Sequence, residues 1–249
     1  MATLATNDVI TPKAMEAGHH PDDHHSYDGS HYHRREDRRD YSRPFLPHFN
    51  RKWADPSPVA LGALGTGLFI LAIVALGTRG LQTLNVGISI ALGYSAFVLL
   101  VAGIWEFPCG NSFAAALYTT LAGFFASLSL LLSPWSDIST AYADSSEFST
   151  AVSMFFFAFF IHVFLFLLAS LRSSGGLILD LCLIDLALMF FGISFYIPSN
   201  VHLLRAAGAF AILAAFTSWY AFLATLLTPE TSFFRLPVIM DLRPKTVRQ

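Results

Sequence analysis

Glu106, His162, Asp180 and Asp185 are ionisable side chains that lie within or at the ends of the long apolar stretches that follow residue 53. An ionisable group at the depth of a bilayer is costly unless it is paired or faces water, so each of them marks a candidate functional site. His162 and Asp185 lie about 11 residues to either side of a turn near residues 173–174, and a helical rise of about 1.5 Å per residue places them at a common depth.

A His–Asp pair at that depth has two interpretations. It could relay protons, because histidine titrates near physiological pH. It could equally be a static hydrogen bond that fixes two neighbouring helices. Asp180 lies nearer the cytoplasmic end of its apolar run and is expected to reach solvent. Glu106 ends another run and could either order that helix end or interact with a proton or substrate.

The stretch WADPSPVALGALG at residues 53–65 predicts a shaped helix entrance. Pro56 and Pro58 suit a first helical turn, where the missing N–H is not needed. Asp55 is a favoured helix cap, although free amides at a helix start can also face an anion. A negative Asp55 would oppose an anion there unless it were protonated or turned away. Asn111 places a further polar group at the start of a later run.

The elements that carry these residues are six long apolar runs, each of which is near the ~20 residues that cross a bilayer. Their predicted bounds are 59–78, 85–105, 111–132, 149–171, 175–197 and 202–227. Only 13% of the residues are charged and mean hydropathy is +0.55, against about 25% charged residues in soluble domains. The sequence therefore predicts an all-α membrane protein with six transmembrane helices in contact with lipid.

Charge distribution predicts the orientation of these helices. The connection at residues 133–148 carries acidic residues and no Lys or Arg, whereas basic residues border the other side of the membrane. The positive-inside rule then places both termini in the cytoplasm. Arg79 and Arg205 are exceptions, since they fall on the outer side. The basic residues that fit the rule are Arg51, Lys52, Arg172, Arg235, Arg243, Lys245 and Arg248.

The first 52 residues are low in aliphatic side chains and predict a disordered cytoplasmic tail. Its histidines suggest metal binding or, more simply, a solvated flexible segment: His19, His20, His24, His25, His31 and His33. The predicted organisation is thus a tail at 1–52, a membrane domain at 53–230 and a short cytoplasmic tail at 231–249. A net charge of −2 favours no nucleic-acid partner.

Several stretches, in order, resemble the acetate uptake transporter family of fungal acetate permeases and bacterial succinate–acetate permeases. The stretch from Asp55 to Pro58 resembles the Asn-Pro-Ala-Pro signature that opens the first helix of that family, with Asp55 in place of the Asn. ALGYSAFVLLVAGIWEF at 91–107, GNSFAAALYTTLAGFF at 110–125 and RAAGAFAILAAFTSWYAF at 205–222 match further segments. The similarity covers about residues 50–245.

The resemblance implies a six-helix protein, typically a hexamer, in which each protomer carries acetate or related short carboxylates past a hydrophobic constriction. By motif, Tyr94 matches the constriction tyrosine, Leu64 takes the place of a usual Phe, and Phe156 falls near the third constriction residue. Two polar family positions are replaced by Leu99 and Ala221, which implies a less polar pathway.

The expected function is plasma-membrane transport of acetate or a similar small monocarboxylate, with a proton, because an unpaired carboxylate is disfavoured in low dielectric. No catalytic activity, cofactor or metal site is predicted. One alternative is a sensor that has lost transport, which the lost polar positions and the His-rich tail favour. Another is export of ammonia or ammonium, although few acidic residues line the spans.

Overall fold

The computed structural model describes residues 54–81, 83, 85–227, 232–234 and 236–237. It contains six helices long and apolar enough to cross a membrane: α1 Ser57–Ala75, α2 Asn85–Cys109, α3 Ser112–Leu132, α4 Ser145–Ser170, α5 Gly175–Tyr196 and α6 Val201–Leu226. The described residues include no β-strand. The prediction of an all-α fold with six spans is confirmed. The predicted disordered tail at 1–52 lies outside the described residues.

Polar side chains set several helix ends. Asn111 Oδ1 accepts a hydrogen bond from the Ala114 N–H at 3.2 Å, and Asp144 Oδ1 accepts one from the Glu147 N–H at 2.7 Å. These bonds satisfy amides that have no partner inside their own helix. The cap at Asp144 explains why α4 begins four residues before the hydropathy boundary predicted at 149.

Helix α2 is interrupted by a π-helical turn at Ala91–Ala96. The turn lies where α2 approaches α1, and the Ser95 hydroxyl donates a hydrogen bond to the Ala63 carbonyl of α1 at 2.9 Å. A π turn holds one more residue than the α-helical turn it replaces, and such turns are frequent at functional sites. Beyond it, α2 continues as a regular helix from Phe97 to Cys109.

The six helices form a closed ring in which each helix contacts the next and α6 packs along α1. Phenylalanine side chains bridge α3 and α4, with the Phe124 ring 5.1 Å from that of Phe159 and 5.7 Å from that of Phe155, between centroids. Close approach of α1 to α6 depends on glycine. A Cβ atom at Gly65 would lie 2.6 Å from Trp219 Cδ1 and 3.1 Å from the Ala215 carbonyl oxygen.

We expect Gly65→Ala to destabilise the protein, because the added methyl must displace either the indole or the backbone of α6. The expected loss is about 1–3 kcal/mol, as for other overpacked positions. Thermal unfolding of the detergent-solubilised protein measures it. Gly123→Ala on α3 is the matched control, since a Cβ there meets no atom within 4 Å. Equal melting temperatures for the two variants would contradict this account of the α1–α6 contact.

A second prediction concerns pH and the start of α4. The pKa of Asp144 lies below its ordinary value of 3.8 because the Glu147 N–H and the Ser146 hydroxyl donate to its carboxylate. The carboxylate therefore contributes stability above its ordinary pKa, and this contribution is lost as pH falls through the lower folded value. Asp144→Asn should melt below the wild type at pH 6, and the difference should shrink towards pH 3. A difference that does not change with pH would refute the prediction.

Candidate functional site

A cavity of about 640 Å³ lies inside the helix ring. Its walls come from α1, α3, α4, α5 and the first half of α6, and they are almost entirely aliphatic and aromatic. The spacing of the lining residues follows single helix faces: Leu64, Leu68 and Leu71 on α1; Leu121, Phe124, Phe125 and Leu128 on α3; Ile184, Leu188, Phe191 and Phe195 on α5. Such a cavity suits a small, mainly apolar or neutral ligand.

The closed end of the cavity lies near mid-membrane. Leu64 is 2% exposed and is the lining residue of α1 farthest from the cavity mouth, while Val163 and Ile184 hold the same position on α4 and α5. Eleven residues separate Leu64 from Ala75 on α1, which at about 1.5 Å per residue gives a depth of about 16 Å. Branched aliphatic side chains therefore form the inner end of the cavity, here called the floor.

The open end of the cavity, here called the mouth, is formed by Gly77, Gly80, Leu81, Val201, Leu204 and Arg205. These residues belong to the α1–α2 connection and the start of α6. Leu81, Val201 and Arg205 are exposed, so the cavity meets solvent at this end of the ring. Arg205 is the charged side chain among the lining residues, and the sequence had presented it only as an exception to the charge rule.

Of the three residues that the resemblance assigned to the constriction, two line the cavity and one does not. Leu64 and Phe156 both line the cavity, and Phe156 is 3% exposed. Tyr94 does not line it; this side chain lies in the π turn of α2 and is 40% exposed. Leu99 and Ala221, which the sequence associated with a less polar pathway, also lie outside the lining. The apolar character of the cavity comes from other residues.

Asp180 does not reach solvent, contrary to the expectation from its position in the sequence. It is 3% exposed and sits between α5 and α6. Its Oδ1 lies 2.5 Å from the Thr217 hydroxyl, and the Ser218 hydroxyl lies 3.0 Å from both carboxyl oxygens. The expectation failed because α6 brings two hydroxyls to the same depth, and these take the place of water.

The Thr217 hydroxyl has one proton but two acceptors within range, Asp180 Oδ1 and the Ala214 carbonyl at 2.9 Å. If Thr217 donates to Ala214, a proton between Thr217 and Asp180 must come from the aspartic acid. If Thr217 donates to Asp180, the carboxyl group accepts as an anion. The same arrangement therefore accommodates both protonation states of Asp180 without moving a side chain.

The predicted hydrogen bond between His162 and Asp185 is wrong. Asp185 is 6% exposed, and its Oδ1 has no hydrogen-bond partner among the described residues. His162 is exposed on α4, where its ring stacks on Phe166 at 5.3 Å between centroids. Equal depth was a sound inference from helix geometry, but depth alone does not fix the direction in which the two side chains point.

A second polar cluster lies at the start of α1. The Asp55 carboxylate accepts a hydrogen bond from the Ser57 N–H at 2.9 Å, which is the cap expected from its position before the helix. The Ser57 hydroxyl donates to Glu106 Oε1 at 2.7 Å, and Glu106 is 2% exposed. Tyr118 of α3 is buried beside Ser57. Glu106 thus links the end of α2 to the beginning of α1. This contact corresponds to the first of the two roles considered from the sequence, in which Glu106 orders the helix end.

Pro56 and Pro58 are both buried where α1 begins. Asn111 serves as the cap of α3 and lies at an exposed helix end rather than inside the cavity. Among the described residues, no three His, Cys, Asp or Glu side chains are arranged to hold a metal ion. The tail histidines that were considered as metal ligands, from His19 to His33, lie outside the described residues.

Comparison with known proteins identifies the family. A model of the GPR1/FUN34/yaaH family matches residues 41–241. The chain belongs to the GPR1/FUN34/yaaH family. The matched segment contains the whole helix ring, so the predicted resemblance to acetate transporters is confirmed at the level of the family.

Relatives in this family have names that refer to different substrates. Acetate permease A of Emericella nidulans is 32% identical over 198 residues, which are 76% of this chain and 66% of that protein. Ammonia transport outward protein 3 of Saccharomyces cerevisiae is 24% identical over 189 residues, 76% of this chain and 67% of that protein. The chain thus spans about two thirds of the length of these relatives.

The solved structure of the bacterial acetate channel SatP superimposes with a TM-score of 0.65. The superposition covers 75% of this chain and 99% of SatP at 17% sequence identity. At this identity the similarity establishes the fold, and the six-helix ring is therefore shared with SatP.

Thr217→Val tests the polar cluster between α5 and α6. The change keeps the side-chain shape and removes one of the two hydroxyls beside Asp180, so we expect a loss of about 1–2 kcal/mol in unfolding free energy. Thermal melting in detergent measures it. Thr225→Val is the matched control, because the Thr225 hydroxyl is exposed and bonds only the Phe222 carbonyl of its own helix. A Thr217→Val protein as stable as the control would contradict a structural role for this contact.

Proposed function

We propose that this member of the GPR1/FUN34/yaaH family carries acetate and related short monocarboxylates across a membrane through the cavity of the helix ring. The observation that carries the proposal is the apolar cavity itself, which is open at one end and closed at mid-membrane by Leu64, Val163 and Ile184. Family membership and the shared fold with SatP support transport rather than catalysis.

The proposed substrate form is neutral at the floor. Beyond the mouth the lining is apolar, and an unpaired carboxylate would pay the full cost of desolvation there. A monocarboxylic acid with its proton avoids this cost. We therefore propose that a proton accompanies each substrate molecule across the apolar lining. The proton either travels on the substrate from the medium or is supplied by the protein.

The proposed orientation places both termini in the cytoplasm and the mouth outside, in the plasma membrane. It rests on the acidic α3–α4 connection, which contains no Lys or Arg, and on the positive-inside rule. In this orientation the mouth collects substrate from the medium, and the floor at Leu64 separates it from the cytoplasm.

The proposed assembly is a homo-oligomer, a hexamer by family resemblance. Helix α2 supplies no residue to the cavity and presents large apolar side chains outward, with Phe97 and Phe107 more than 60% exposed. That face can pack against lipid or against a second copy. In either case the proposed pathway lies within a single chain.

Ammonia is the second candidate substrate. The relative from Saccharomyces cerevisiae is named for outward ammonia transport, and neutral NH₃ also tolerates an apolar lining. The two candidates differ in their pH dependence. Inward flux of protonated acetate rises as external pH falls, whereas the neutral form of ammonia becomes scarcer.

Uptake of labelled acetate by cells that lack their own permeases tests the proposal. We expect uptake to increase from neutral to acid external pH, and Leu64→Trp to lower it at least tenfold, a factor equal to about 1.4 kcal/mol of added barrier. Leu64→Ala removes side-chain atoms from the floor and should therefore maintain or increase uptake. Leu165→Trp on the exposed face of α4 is the matched control.

Two results would contradict the proposed function. One is flat uptake from acid to neutral pH in protein confirmed at the cell surface, and the other is equal inhibition by Leu64→Trp and Leu165→Trp. Tyr94→Ala adds a further comparison. Because Tyr94 lies outside the cavity lining, a larger effect of Tyr94→Ala than of Leu64→Trp would move the pathway to the α2 side of the ring.

A further inference from the structure

The guanidinium group of Arg205 lies at the mouth of the apolar cavity, and no other described residue supplies a counter-ion for it. Among the described residues it forms neither an ion pair nor a side-chain hydrogen bond. Its neighbours in the mouth are glycines and aliphatic side chains, Gly77, Leu81 and Leu204. Within the part of the chain that the structure describes, this cation is therefore not neutralised, and it lies where a ligand entering the cavity would leave water.

Among the described residues, no acidic side chain near the start of α4 forms an ion pair with Arg205. Asp144 accepts hydrogen bonds from the Glu147 N–H and the Ser146 hydroxyl, and Glu147 Oε2 accepts one from the Ala143 N–H at 3.1 Å. Both carboxylates are thus engaged in capping α4. Arg79 lies between the mouth residues Gly77 and Gly80 and adds a second positive charge to the same connection.

We propose that Arg205 captures the carboxylate of the substrate at the mouth, before the substrate acquires or brings its proton and enters the apolar part of the cavity. This inference rests on the proposed transport function. A guanidinium group donates two parallel hydrogen bonds to a carboxylate, which orients the ligand with its alkyl end free to point towards the apolar lining. The same charge repels ammonium, so it favours a carboxylate over that cation.

The position of Arg205 also limits how tightly it holds the ligand. The side chain is exposed, so its charge is screened by water and salt rather than being fully effective in low dielectric. Capture at such a site raises the local concentration of anions and the rate of encounter, an effect that weakens as ionic strength rises. A weakly held ligand can then move on to the floor.

Saturation-transfer NMR with the purified full-length protein in detergent measures capture directly, using the methyl protons of acetate as the reporter. We expect Arg205→Ala to weaken apparent acetate affinity about tenfold at low salt, and Arg205→Lys to retain most of the wild-type affinity. Arg172→Ala is the matched control, because Arg172 is exposed in the α4–α5 turn and lies outside the cavity lining. Neutral acetamide should show the same transfer in all four proteins.

Equal acetate affinity in the wild type and Arg205→Ala, or no transfer to the wild type, would overturn the proposal. Uptake assays separate this failure from failure of the proposed function. If uptake is the same in the wild type and in Arg205→Ala and does not change with salt concentration, capture by Arg205 is overturned and the proposed transport is left intact. Acetate binding that depends on Arg205, without any uptake by the wild type, supports capture and overturns transport.

Discussion

The contact between the first and the last helix holds the ring together, and it depends on the absence of side-chain atoms at Gly65. Within a bilayer, lipid satisfies apolar side chains as well as another helix does, so association relies on close van der Waals packing. The indole of Trp219 fills the space left at Gly65. With α1 held against α6, the ring closes and encloses a cavity, because most of the remaining contacts join helices that are neighbours in sequence.

The buried carboxyl groups are accommodated in three different ways. Glu106 accepts from Ser57, Asp180 is held by Thr217 and Ser218, and Asp185 retains an oxygen without a partner. None of the three lines the cavity. These three acidic groups, which stood out in the sequence, therefore lie outside the cavity lining, whereas the cation of Arg205 lies at the mouth of the cavity.

Sequence reasoning predicted the spans well because twenty-residue apolar runs have few alternatives in a membrane. It could not identify the cavity-lining face, since apolar residues are spread evenly around the axis of α5, and residues such as Ile184 and Phe191 do not differ in type from those facing lipid. The pairing of Asp180 with Ser218 had a detectable signal, because both lie towards the same end of adjacent antiparallel helices. The His162–Asp185 contact failed because rotation about the helix axis is not determined by depth.

The π turn at Ala91–Ala96 has a consequence for comparison across the family. One added residue rotates everything before it by about 100° relative to everything after it, which is the angle between successive residues of an α-helix. A relative with a regular helix at this point would align with a one-residue gap inside a membrane span. An ungapped alignment would pair side chains that face different neighbours on one side of the turn. Tyr94 lies inside the turn, so such an alignment does not define which neighbours its side chain faces.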